Sequence, residues 1–183
     1  MTIDITPFQS RIRQFVQRIR SRWQLIMMLA FFSYGTSVMY FFYAHPSPRS
    51  FPLKTMNLIN NITFFIALVL AILIFLQKSR IFSSRFSATF LKTALQEHQG
   101  HATSALEDYL SVVARQLYRF WILALAIIIT GVCHFWLTLW PQYLHLLFIV
   151  GLFSLFLNYP RREFFSEIPF QLQRLKMDYD QGL

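Results

Sequence analysis

Acidic residues are scarce in this sequence: eight stand against 17 lysines and arginines in 183 residues. Charge of either sign is missing altogether from four long stretches, 23–44, 58–76, 120–140 and 142–159. Carriers that couple to protons or cations use an ionisable group inside the bilayer, so charge-free spans leave that mechanism without its working residue. The single cysteine, Cys133, excludes an intramolecular disulfide and the paired-cysteine chemistry of disulfide-generating quinone enzymes. The sequence also lacks a phosphate loop, a nucleophile motif, a carboxylate pair inside an apolar stretch and any internal repeat. An enzyme is therefore not expected, and an inverted-repeat transporter has no support.

What is present is apolar. Hydrophobic residues make up 55% of the chain. Each charge-free stretch has about the 17–25 residues that a helix needs to cross roughly 30 Å of hydrocarbon. The expected fold is an all-α membrane protein with four transmembrane helices at about 23–44, 58–76, 120–140 and 142–159. Around them come a basic amphipathic helix over 1–22, a helical hairpin over 77–119 that extends the second and third spans, and an interfacial tail over 160–183. So little chain lies outside the spans that a separate soluble catalytic domain is not expected.

The cations set an expected orientation. Fifteen of the 17 fall before the first span, in the middle connection or in the tail, and only Arg49 and Lys54 fall in the first outer loop. The positive-inside rule then places both termini and the hairpin in the cytoplasm of a bacterial-type inner membrane. Tryptophans and tyrosines near the span ends, among them Trp23, Trp121, Trp136 and Trp140, fit headgroup-level belts. No cleavable signal peptide is expected, because the arginine-rich start leads into a full-length span with no small-residue cleavage pattern after it.

The net charge of +9 raises the question of nucleic acid, but the cations sit beside spans without a nucleic-acid-binding pattern, so none is expected. Anionic lipid on the cytoplasmic side is the expected counterion, with Arg11, Arg13 and Arg18 as lipid-contact candidates. In that first segment Phe8, Ile12, Phe15, Val16 and Ile19 recur at helical spacing, with Thr6, Pro7 and Gln9 as its start signals.

In the middle connection, Ile81, Phe82, Phe86, Phe90, Leu91, Ala94 and Leu95 form one stripe, Gly100 a C-cap, and Ser104 with Glu107 a capping box. A returning helix carries Leu106, Tyr109, Leu110, Val113 and Leu117 on its apolar face. Phe82, Phe86 and Phe90 are the partner-contact candidates, the partner being another membrane subunit or a second copy. In the tail, Pro160 starts a helix that Pro169 interrupts.

Chemistry is sparse. His134, His145 and Cys133 toward the outer face are the residues from which a metal or haem site could be assembled, with His45 nearby; interfacial hydrogen bonding is the plainer role for these rings. Glu97, His98 and His101 at the hairpin tip resemble a metal pair, but Gly100 breaks the helix between the histidines, and a polar turn is the expectation. Asn57, Asn60 and Asn61 share the outer start of the second span. No metal or cofactor is expected. The reading that follows is a non-catalytic membrane subunit of a larger assembly. Its rivals are a homo-oligomeric channel lined by Thr36, Ser37, Asn60 and Asn61, and a redox module on the outer histidines.

Overall fold

The computed structural model describes residues 6–81 and 84–180, with side chains placed for 8–77 and 86–179. Helix accounts for 88% of the described residues, and no strand occurs among them. The helices are α1 (Thr6–Ala44), α2 (Leu53–Ile81), α3 (Ser84–Glu97), α4 (Ala102–Thr138), α5 (Pro141–Leu157) and α6 (Ile168–Asp180), with a short 3-10 turn at Arg162–Phe165. Three of them, α1, α2 and α4, are long and apolar enough to cross a membrane; taking the 17-residue α5 together with the helical segment after it raises the number to four.

The basic segment and first span form one uninterrupted helix, α1. No proline or glycine lies between Phe8 and Tyr34, so nothing in the sequence breaks the helical ladder there. The returning hairpin arm and third span are likewise one helix, α4.

Two compact units divide the chain. One gathers Met1–Arg22, Gln77–Tyr118 and Pro160–Leu183; the other comprises Trp23–Leu76 and Arg119–Tyr159. The divisions fall where charged sequence gives way to charge-free sequence.

In the first unit the core is built from several helices. Ile12, Val16 and Ile19 from α1 are buried, as are Leu91, Ala94 and Leu95 from α3. All five residues of the expected α4 face, Leu106, Tyr109, Leu110, Val113 and Leu117, are buried too. The tail adds Phe165, Ile168 and Leu172, with the Phe15 and Phe165 rings edge-on at 5.6 Å. Three residues of the α1 stripe, Ile12, Val16 and Ile19, are thus covered by protein. Pro169 sits in the first turn of α6 and does not interrupt it, because a first-turn residue has no intrahelical use for its N–H.

The hairpin tip is a Schellman turn. Gly100 N–H donates to Leu95 O at 2.9 Å and Gln99 N–H to Gln96 O at 3.2 Å, the two bonds that define the motif. The left-handed C′ position is held by Gln99 (φ 50), and Gly100 follows at φ 83. Glycine is needed there twice over, since a Cβ would also stand 2.9 Å from the Tyr179 ring. Ser104 lies inside α4, which starts at Ala102, and Glu107 pairs with Arg11 instead of closing a capping box.

The second unit is centred on α4 and α5. Phe120, Trp121, Ala124, Ile127, Ile128 and Phe135 of α4 and Leu144, Leu147, Phe148 and Leu155 of α5 are buried in its core. Close approach is made possible by one glycine on each helix. A Cβ on Gly131 would lie 2.9 Å from Leu147 Cβ, and one on Gly151 would lie 2.8 Å from the Ala124 carbonyl oxygen and closer still to Ile128. Gly35 in α1 has nothing within 4 Å of that position. Gly151→Ala is therefore expected to destabilise the protein by about 1–3 kcal/mol through overpacking. Gly35→Ala should be neutral or stabilising. Thermal melts of both in one detergent check this; equal melting temperatures would mean that α4 and α5 are not in backbone contact.

Candidate functional site

The outer histidines take three separate environments. His134, near the end of α4, is only 3% exposed, and its Nδ1 shares a 3.1 Å hydrogen bond with Thr63 Oγ1 of α2. The Tyr143 ring lies 4.5 Å away between centroids. His134 Nε2 is buried without a hydrogen-bond partner among the described residues. His145 is exposed and shares a 2.9 Å bond with the Tyr34 hydroxyl, whose ring stacks on Phe148 at 3.8 Å. His45 closes α1 in an exposed position at φ 41.

Cys133 is exposed while its neighbour His134 is buried, because successive residues on a helix point about 100° apart. The three candidate ligands His134, His145 and Cys133 do not converge, and among the described residues no group of three histidines, cysteines or carboxylates could hold a metal ion. Thr63 and Tyr34 are the hydrogen-bond partners of these rings, and no spacing in the sequence ties them to the histidines. Tyr34 belongs to the polar run Ser33-Tyr34-Gly35-Thr36-Ser37, and Thr63 closely follows Asn60 and Asn61.

The expected pore-lining set is dispersed in the same way. Thr36 is exposed and its hydroxyl donates to Phe32 O of its own helix. Ser37 is fully buried, donates to Ser33 O at 3.0 Å and accepts from Trp136 Nε1 at 3.1 Å. Asn57 and Asn61 are exposed, whereas Asn60 buries an Oδ1 that has no partner among the described residues. Asn60 lines a cavity of about 300 Å³ with Arg49, Trp140, Gln142 and Tyr143.

Two tryptophans expected in the headgroup belt do something more specific. Trp121, 1% exposed, donates its indole N–H to Asn158 O at 3.0 Å, and Trp23, also buried, donates to Leu155 O at 3.1 Å. Asn158 Nδ2 donates to Ser154 O at 2.8 Å. The final carbonyls of a helix have no intrahelical donor, and these side chains supply donors at the end of α5.

In the first unit, the hairpin-tip residues form a polar turn. His98 Nε2 donates to Asp108 Oδ2 at 2.6 Å, and His101 Nδ1 donates to His98 O at 3.0 Å. Glu97 is exposed.

Of the phenylalanine stripe, Phe82 lies outside the described residues, and Phe86 and Phe90 are half-buried. Their rings are 6.0 Å apart, and Phe90 is 6.0 Å from Tyr109. Phe86 and Phe90 border a cavity of about 260 Å³ with Thr93 and Asp108, while Leu91, Ala94 and Leu95 take the core positions. Arg11, Arg13 and Arg18 are exposed, and Arg11 pairs with Glu107.

Tyr109, 5% exposed, belongs to the charged part of α4 ahead of the charge-free run that starts at Phe120. Burial disfavours the phenolate and pushes the group from 10.0 up to about 12. An unfolded chain releases this proton near pH 10 and the folded chain only near pH 12, so stability held in full below pH 10 is lost as pH rises through that window. Alkaline titration followed by circular dichroism should show helix loss in that window, and Tyr109→Phe should shift the onset upward. An unchanged onset would mean that another group controls it.

No family model, curated protein or solved structure matches this chain.

Proposed function

We propose that this chain is a four-span inner-membrane protein with both termini in the cytoplasm, acting as a non-catalytic subunit of a larger membrane assembly. The supporting observation is the uneven covering of its apolar helices. Only 17% of the apolar stretch of α2 is buried, against 44% for α4. Leu58, Phe65, Phe75 and Leu76 are among the α2 side chains left more than half exposed. Such a helix suits a lipid or protein neighbour, and Phe86 and Phe90 offer further half-buried aromatic surface for a partner. The cation distribution supports the orientation, and α5 serves as the fourth span at 17 residues.

Native mass measurement after gentle extraction tests the reading. A mass well above one chain supports it, and a monomer under every mild condition overturns it. Cysteine labelling tests the topology: a cysteine at Gly100 should be inaccessible from outside intact cells and one at Ser47 accessible. A second reading, a haem or metal module, is favoured by one observation, the buried and unpartnered His134 Nε2. A visible spectrum and metal analysis of the purified protein decide it.

A further inference from the structure

Three arginines of α1 line one groove in the first unit. Arg11, Arg18 and Arg22 border a space of about 570 Å³ together with Gln14, Ser111 and Glu107. They share it because residues 11, 14, 18 and 22 follow one another at steps of three and four, which keeps them on one helix face. The groove also has apolar lining: Ile19 is 3% and Leu110 5% exposed. Its one acidic lining residue, Glu107, is engaged by Arg11. Arg18 and Arg22, one turn apart, have no acidic partner among the described residues.

Two guanidinium groups one turn apart beside an open space suit an anion with several acceptor oxygens, because each fork donates two parallel hydrogen bonds. The Ser111 hydroxyl already donates to Asp108 O, which leaves its oxygen free to accept. A headgroup hydroxyl could be received there or by Gln14. The chain itself indicates the source of the anion. Arg22 is followed in the same helix by Trp23 and the charge-free run 23–44, so an anion at Arg22 that carries acyl chains has apolar surface to follow.

We propose that this groove is a binding site for the headgroup of an anionic phospholipid, with its phosphodiester held by Arg18 and Arg22. The proposal rests on the membrane placement given above. It goes further in assigning one groove, and it separates the three sequence candidates: Arg18 holds the lipid, Arg11 is partly neutralised by Glu107, and Arg13 lies outside the groove.

Native mass spectrometry of the full chain in detergent, titrated with phosphatidylglycerol, phosphatidylcholine or inorganic phosphate, tests the site. Wild type should retain phosphatidylglycerol over phosphatidylcholine. Arg18→Gln with Arg22→Gln should weaken that retention about thirtyfold, two juxtamembrane cations at about 1 kcal/mol each. Arg13→Gln should stay within about threefold of wild type, the smaller effect expected of a cation outside the groove. Glu107→Gln should tighten binding by freeing Arg11. Equal losses in Arg13→Gln and the double variant would reduce the effect to net charge and overturn the site. So would equal retention of the two lipids, weaker binding in Glu107→Gln, or displacement of the lipid by millimolar phosphate, which would mark a soluble-anion site. The same spectra report the subunit count, and cysteine labelling reports the topology, so failure of the assembly or membrane reading is seen separately from failure of the lipid site.

Discussion

Replacing Trp121 with alanine is expected to lower the melting temperature of the detergent-solubilised protein by roughly 10 °C or more. The ring is among the largest fully buried side chains, and its N–H donates to the Asn158 carbonyl beyond the end of α5. Truncating a buried aromatic to alanine costs about 3–5 kcal/mol. For a chain of this size each kcal/mol corresponds to about 2–4 °C. In a bilayer the driving force is packing and hydrogen bonding more than water exclusion, so the cavity and the lost donor are the terms that matter. Trp121→Phe separates them. It keeps most of the ring and leaves Asn158 O without its donor, for about 1–3 kcal/mol. Hydrogen exchange at residues 154–159 should quicken in both variants. A melt of the alanine variant within a degree or two of wild type would mean that α5 does not depend on this indole.

The helices and the surface chemistry of this protein were legible in its sequence to different degrees. In the first half of α4, where polar and apolar residues alternate at helical spacing, the buried face could be read in advance. Leu106, Tyr109, Leu110, Val113 and Leu117 were expected on one α4 face, and all five are buried. Ile12, Val16 and Ile19 were also read as a face, but a periodic stripe tells only that something covers it. Here the cover is protein and not lipid. Along the charge-free runs the pattern disappears, because every face of such a helix is apolar and the packed one cannot be told from the lipid-facing one. That is why nothing in the sequence singles out Gly131 and Gly151, which set the approach of α4 to α5.

The polar residues show a related limit. Trp23 and Trp121 lie at span ends, and the usual preference of indoles sends them to the headgroups. Their actual partners, Leu155 O and Asn158 O, are distant in sequence and depend on tertiary packing. His134 and Cys133 are adjacent in sequence and invite a shared site, yet the helical twist sends them to different faces, one buried and one exposed. Pairings such as Thr63 with His134 and Tyr34 with His145 join different helices, and no spacing within one helix could reveal them. The lipid candidates were sorted by the same kind of information, since whether an arginine meets Glu107 or an open groove depends on how α1 packs against α4.

The tail supplies the largest effect expected in the first unit. Phe165 and Leu172 are 2% and 0% exposed, and α6 packs against α3, where the Ser87 hydroxyl donates to Gln171 Oε1 at 3.2 Å. Leu→Ala and Phe→Ala changes in a packed core cost about 2–5 and 3–5 kcal/mol respectively. Phe165→Ala with Leu172→Ala therefore reaches the scale of a whole domain's stability, about 5–15 kcal/mol. The double variant should still insert into membranes, because its changes lie outside every charge-free run, but its hairpin should open. Limited trypsin digestion of membrane-embedded protein should then cut at Lys92 and Arg115, which the wild type protects within helical structure. Each single variant should cut at an intermediate rate. If the double variant resists trypsin as wild type does, the tail is not part of the core that holds the hairpin. If it opens while the native mass stays constant, the proposed partner contacts do not run through this unit, and the exposed faces of α1 and α2 become the surfaces on which the proposed partner has to be sought.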